Sequence, residues 1–82
     1  MKPANHYAST TPIPDWFEYT ISHLPNHDIL NFIGDLTRAI RENKFESSRA
    51  VAILTDRVDT WLESQDRDTF KTLLQWVAME LI

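Results

Sequence analysis

Two histidines four residues apart are the side chains in this sequence best spaced to bind a metal ion. His23 and His27 have the i, i+4 separation with which one helix face can present two imidazoles to zinc. Pro25 stands between them and interrupts the helical register that such a pair needs. No third ligand lies nearby in the sequence. We therefore expect surface histidines at a helix junction and no cofactor. A milder hypothesis is that they sense pH, because histidine ordinarily gains its charge at about pH 6.5.

No set of residues has the spacing of a catalytic site. Cysteine is absent, and no serine follows the strand–turn–helix pattern that exposes a nucleophile. Gly34 is the single glycine, so a glycine-rich phosphate loop cannot form. Because Gly34 lies inside a predicted helix, we interpret it as close helix packing or as plain tolerance of a residue that costs about 1 kcal/mol relative to alanine. The sequence predicts that the protein is not an enzyme.

Three acidic residues form the clearest charged stripe. Asp56, Asp59 and Glu63 lie on one face of the third predicted helix, opposite its apolar residues. Such a stripe is either an ordinary solvated face or a docking strip for a basic partner, and the net charge of −4 is compatible with both. We take these three residues as the candidate partner-binding site.

A basic cluster surrounds the break between the second and third predicted helices. It consists of Arg38, Arg41, Lys44 and Arg49, and a helix–turn–helix protein that binds DNA could look like this locally. The third helix also carries the acidic stripe, and the whole chain has only eight lysines and arginines. Direct contact with nucleic acid is therefore not expected.

The elements that position these residues are all predicted to be helical. Apolar residues recur at helical spacing and no segment alternates with a period of two, so we expect an all-α fold of one short and three longer helices. The short helix spans about 14–23 and is ended by Pro25, and Asn26 caps the second helix. A break at 43–46 precedes a third helix over about 48–63, and Asp66 caps the last.

The first twelve residues differ from the rest of the chain in composition. They are rich in Pro, Ser, Thr and Asn, and apart from Met1 their one large apolar side chain is Tyr7. Such a segment cannot offset its own ordering entropy. We expect a mobile, disordered tail over residues 1–12 and a single helical domain over residues 13–82.

The last thirteen residues are apolar on more than one helix face, which predicts self-association. Phe70, Leu73 and Val77 belong to one stripe, whereas Trp76 and Met79 lie on nearly the opposite side. An 82-residue chain without disulfides is marginal in size, and oligomerisation is a common remedy. We therefore expect Trp61 in the core, Trp76 at an interface, and a homodimer formed through seven residues: Phe70, Leu73, Trp76, Val77, Met79, Leu81 and Ile82.

Hydropathy gives no sign of a membrane segment. No apolar run approaches the roughly 20 residues that span a bilayer, and the first fourteen residues lack the apolar core of a secretory signal. We expect a cytoplasmic protein without membrane contact.

The order of segments from residue 13 to residue 82 resembles a family of small bacterial regulators. The pair Trp16-Phe17 is followed by ILNFIGDLTRAI, a polar break at RENKFESSR, then AVAILTDRVDTWLE, a second break at SQDRD, and TFKTLLQWVAMELI. This order is similar to that of the AriR (YmgB) and YcgZ family, whose members are described as biofilm and acid-resistance regulators or as connectors that feed a two-component phosphorelay. The similarity rests on helix lengths, apolar spacing and break positions, and it carries no residue-level functional motif.

The resemblance implies a non-enzymatic helical homodimer that modulates a phosphorelay or a transcription regulator affecting biofilm or stress response. Its partner would be a response regulator, a sensor kinase or a transcription factor. From the residues themselves, two other classes stay open. One is a DNA-associated transcriptional regulator; the other is a phage- or plasmid-type inhibitor, such as a DNA mimic, an antitoxin or an immunity protein.

Overall fold

Helices make up all the regular structure in the part of the chain that the computed structural model describes, which is residues 1–8, 11–48 and 56–82. A short 3-10 helix, Ala4–His6, precedes α1 (Asp15–Ser22) and α2 (Asn26–Glu42). After the second gap come α3 (Asp56–Glu63) and α4 (Arg67–Trp76), and a π-helical turn, Val77–Leu81, continues α4 without a break. The all-α prediction is confirmed for these residues.

Prolines begin the first two α-helices. The carbonyl of Pro14 accepts hydrogen bonds from the backbone N–H groups of Phe17 and Glu18, both at 3.1 Å. Pro25 has the same role for α2, so Asn26 is the first helical residue and the prediction that it caps the helix is wrong by one position. A proline that precedes a helix has an extended backbone, which suits the position before the first turn.

Asn43 ends α2 where the sequence predicts a break. Its backbone is left-handed, with φ 59° and ψ 30°, and asparagine adopts this conformation more readily than most residues. The next break is also where it was predicted: the Asp66 carboxylate accepts a hydrogen bond from Thr69 N–H at 3.0 Å and so caps α4. The third helix is described from Asp56 to Glu63; its predicted start at about residue 48 is not tested, because positions 49–55 lie outside the described residues.

The core joins the apolar faces of all four helices. Phe17 and Ile21 of α1 and Phe32 and Leu36 of α2 are fully buried. The helices α3 and α4 and the π-helical turn complete this core with Val58, Leu62, Phe70, Leu73, Trp76 and Val77. The radius of gyration is 11.3 Å, close to the roughly 11.7 Å expected for a compact domain of this length. None of the described helices is both long and apolar enough to cross a membrane.

Two buried residues come from places where the sequence predicts exposure. A carboxylate in an amphipathic helix ordinarily faces solvent, yet Asp35 of α2 is only 3% exposed. Its carboxylate lies 3.5 Å from the Arg38 guanidinium and accepts a hydrogen bond from Ser48 N–H at 3.4 Å, because the segment after α2 folds back over it. Phe45, in the predicted polar break, belongs to the core and its ring centroid lies 6.3 Å from that of Phe70.

The mobile tail predicted at the N-terminus is not shown by the structure. Residues 1–8 have defined contacts, and Ala4 is completely buried in the core. The Asn5 side chain pairs with the backbone of Ile13 in both directions, at 2.7 and 3.0 Å. The short helix Ala4–His6 packs on α4, so this segment approaches the end of the chain.

Candidate protein-binding surface

An apolar cleft lies between the beginning of α2 and the end of the chain. Its volume is about 180 Å³. It is lined by Asn26, Ile29, Leu30, Leu81 and Ile82, whose side chains are uncharged. A concave surface that places apolar side chains around one polar amide is suited to an apolar side chain of a binding partner.

The rim of this cleft is exposed to an unusual degree for large apolar residues. Leu30 is 58% exposed and Ile82 is 68% exposed. Met79, three residues before Ile82, is 66% exposed. Single exposed apolar residues need no explanation, whereas several near one cleft are typical of protein–protein contact sites.

The seven residues predicted to form a dimer interface fall into two groups. Phe70, Leu73, Trp76 and Val77 are fully buried within a single chain, and in this conformation they present no surface to a second copy. Met79 and Ile82 are exposed, and Leu81 is half-buried beside the cleft.

The expectation that Trp76 lies outside the core is wrong. The buried arc of α4 is centred differently from the apolar stripe because it includes Thr69, which is only 3% exposed. Thr69 and Trp76 are seven positions apart, so their side chains project from the helix only about 20° apart. Because Thr69 is polar, the apolar pattern alone did not indicate that the side of α4 containing Trp76 is buried. The indole N–H of Trp76 has no hydrogen-bond acceptor among the described residues.

The tryptophan expected in the core, Trp61, is half-buried. Its ring centroid lies 4.5 Å from that of the buried Phe17, so it packs against the edge of the core. Nearby, the guanidinium carbon of Arg57 lies 4.0 Å from the ring centroid of Trp16. This cation–π contact joins α3 to α1.

The acidic stripe is on α3, as predicted, but its members differ in environment. Asp56 and Glu63 are exposed. Asp59 is half-buried and already makes a contact of its own within the chain. The two residues available to an external partner are therefore Asp56 and Glu63.

Acidic groups accompany the basic residues after α2. The Arg38 guanidinium donates to the Glu46 carbonyl at 2.7 Å and lies beside Asp35. Lys44 forms an ion pair with Glu46 at 2.9 Å; this contact lowers the pKa of Glu46 and raises that of Lys44. Arg49 lies outside the described residues. Arg38 and Lys44 thus each contact neighbouring acidic or carbonyl oxygens.

The two histidines do not converge. His23 Nδ1 lies 2.7 Å from the carbonyl of Tyr19, and its ring is stacked near the Tyr19 ring. The imidazole of His27 lies 3.3 Å from the Asp28 carboxylate. Within the described ranges, no three potential ligands lie close enough together to hold a metal ion.

Sequence reasoning missed Leu30 and Asn26 as members of a surface site. Leu30 follows Ile29 directly and so falls outside the buried stripe of α2. A large apolar residue off the stripe of an otherwise amphipathic helix was the available signal. That signal could not show that the end of the chain lies beside it.

Comparison with known proteins does not assign the chain to a family. No protein-family model, no curated protein and no solved structure matches the chain. The resemblance to the AriR and YcgZ regulators therefore stays a prediction.

Proposed function

We propose that this chain is a non-enzymatic regulatory protein that acts through protein–protein contacts and pairs with a second copy through the apolar cleft. The observation that carries the proposal is the exposure of Leu30 and Ile82 on either side of that cleft. The five residues that line the cleft have no charged side chain. This matters because the chain carries a net charge of −4 and repels itself at long range.

The cleft would be the centre of a larger contact. A stable interface needs about 800 Å² from each partner, which is roughly one sixth of the 4914 Å² surface of the chain. Burying an exposed leucine or isoleucine contributes about 1–2 kcal/mol when half to two thirds of its surface was accessible.

Sedimentation of three variants tests the pairing. We expect the unaltered chain to form dimers at micromolar concentration and both Leu30→Glu and Ile82→Glu to be monomers. Each change removes apolar burial and places a carboxylate in the contact, so the association constant should fall at least about tenfold. Tyr19→Glu is the matched control, since Tyr19 is equally exposed but does not line the cleft.

The replaced side chains are exposed, so loss of association can be distinguished from loss of folding. Their replacement should change the free energy of unfolding of the monomer by no more than about 0.5 kcal/mol. Equal sedimentation of all four proteins as monomers would rule out pairing through the cleft. Loss of pairing in Tyr19→Glu as well would mean that added charge, and not the cleft, controls association.

We also propose that the dimer is a cytoplasmic connector that modulates a two-component phosphorelay. The support is the resemblance of residues 13–82 to such regulators, together with the exposed carboxylates of Asp56 and Glu63, which suit a basic partner surface. The experiment measures phosphotransfer between purified sensor kinases and response regulators in the presence of the chain. A double Asp56→Lys, Glu63→Lys variant should bind its partner more weakly and with less salt dependence than the unaltered chain. Glu42→Lys, on the exposed end of α2, is the control.

A further inference from the structure

The N-terminal strap, defined as residues 1–8, is held across the bundle by two carboxylates. Glu80, in the π-helical turn, accepts a hydrogen bond from Lys2 N–H at 2.9 Å and another from the Tyr7 hydroxyl. Glu18, in α1, accepts a hydrogen bond from Ala4 N–H at 2.7 Å. Both ends and the middle of the strap are thus attached to acidic side chains from separate helices.

The strap lies on the side of the C-terminal helix that contains Trp76. The short helix Ala4–His6 packs on α4, and Ala4 is fully buried. Glu80 follows Trp76 by four residues, which places both on the same side of a helix. The strap therefore forms part of the cover over a fully buried indole.

This cover is weakly built compared with the rest of the core. Apart from Ala4 and the half-buried Tyr7 and Ala8, its described residues contribute no apolar side chain to the core. The Trp76 indole N–H has no acceptor among the described residues. A segment with few buried apolar contacts and a small number of side-chain hydrogen bonds opens at lower free energy than a packed helix.

We propose that the N-terminal strap is a carboxylate-latched cover that opens when Glu80 is protonated and uncovers the Trp76 side of the C-terminal helix. Protonation adds a donor to Glu80 and removes its charge, so it weakens the acceptor for both Lys2 N–H and Tyr7. The device is intramolecular, and it does not depend on the proposed pairing through the cleft.

The charged and titratable groups around Glu80 determine the direction of the pH response. They are the Tyr7 hydroxyl, Lys2, the N-terminal ammonium, and the His6 ring, which contacts Tyr7 at 5.0 Å between centroids. The hydrogen bond from Tyr7, followed by that from Lys2 N–H, holds the pKa of Glu80 below its ordinary value of 4.5. A lowered carboxyl pKa means that the latch contributes fully above that ordinary value and is lost as the pH falls through the lower, folded-state pKa.

The hydrogen bond between Tyr7 and Glu80 also determines the response of the strap at alkaline pH. It raises the pKa of Tyr7 above its ordinary value of 10.0. The contribution of the phenol to closure is therefore complete below that value and lost as the pH rises through the raised pKa. The strap should be closed over the whole neutral range and open at both extremes.

Fluorine NMR of the protein labelled with 5-fluorotryptophan provides the test. The chain has three tryptophans, and single Trp16→Phe and Trp61→Phe changes assign the Trp76 signal. In the unaltered chain this signal should shift on acidification while the Trp61 signal and the far-UV circular dichroism are still native. In Glu80→Gln and in Tyr7→Phe, the Trp76 signal should be displaced toward the open position at neutral pH.

Glu63→Gln is the matched control, because Glu63 is an exposed carboxylate on α3 and makes no bond to the strap. The measurement in a Leu30→Glu background excludes effects of pairing, so a negative result here is distinct from failure of the proposed dimer. The proposal is overturned if the Trp76 signal of both latch variants stays at the native position. It is also overturned if Trp76 and Trp61 shift together with the loss of helicity, since that is global acid unfolding.

Discussion

Replacement of Gly34 by alanine should stabilise the protein, and the size of the effect follows from the environment of this one position. Gly34 is exposed in the middle of α2, and a methyl group built on its Cα has no neighbour within 4 Å. Its φ angle is not positive, so alanine adopts the same backbone without strain. The only remaining term is helix propensity, which favours alanine over glycine by about 1 kcal/mol. Of the two interpretations of Gly34, close helix packing is therefore wrong within the described part of the chain, and plain tolerance agrees with the open space beside it.

Urea unfolding followed by circular dichroism measures this change. We expect a higher midpoint with an unchanged m-value, because the surface exposed on unfolding hardly differs. In a thermal scan, a gain of 1 kcal/mol raises the midpoint of a domain of this size by roughly 4–8 °C. Asn31→Ala is the matched control: Asn31 is exposed in the same helix, and its replacement should yield no more than about 0.7 kcal/mol.

A neutral or destabilising Gly34→Ala, alongside a normal Asn31→Ala, would refute this reasoning. It would mean that another surface occupies the space beside Gly34. A dependence of the effect on protein concentration would identify that surface as a second copy, since binding to the folded state shifts apparent stability by mass action.

Two further predictions concern the last helix. Asp66→Ala should lower the thermal midpoint by a few degrees, because it removes the acceptor of the Thr69 N–H, whereas Asp68→Ala should not. The bonds from Thr69 also hold the pKa of Asp66 below its ordinary 3.8, so the difference between the two variants should be complete above that pH and vanish in more acidic solution. Trp76→Ala should lower the free energy of unfolding in urea by about 3–5 kcal/mol. Met79→Ala, at an exposed position, should change it by no more than about 0.5 kcal/mol. Equal effects of the two changes would contradict the burial of Trp76.

Local signals were sufficient to predict most of the helices. Pro25 and the apolar spacing of α2 bracket that helix to within a residue, and Asp66 marks the beginning of α4. These signals act between residues close in sequence, as caps and helix periodicity do. The same is true of the break at Asn43, where the backbone conformation itself ends the helix.

The features that the sequence did not reveal depend on contacts between distant segments. Ala4 and Phe45 enter the core from segments whose composition predicts exposure, and Asp35 is buried by the chain that follows its helix. Composition cannot show that a polar segment is held by a few specific hydrogen bonds, such as that between Tyr7 and Glu80. The candidate cleft has the same origin, since Leu30 and Ile82 are 52 positions apart and only the fold brings them together.

The π-helical turn Val77–Leu81 connects the three features on which function would depend. Val77 is in the core, Glu80 holds the strap, and Leu81 lines the cleft, so adjacent residues of one turn belong to three different surroundings. A π-helical turn is less favourable than an α-helical one and is often found at functional sites. Changes at Val77 would disturb all three together and reveal little. The features can be separated only from their outer partners, by altering Tyr7 on one side and Leu30 on the other. If the two variants affect Trp76 exposure and pairing independently, the turn is a shared support; if each affects both, it couples the strap to the cleft.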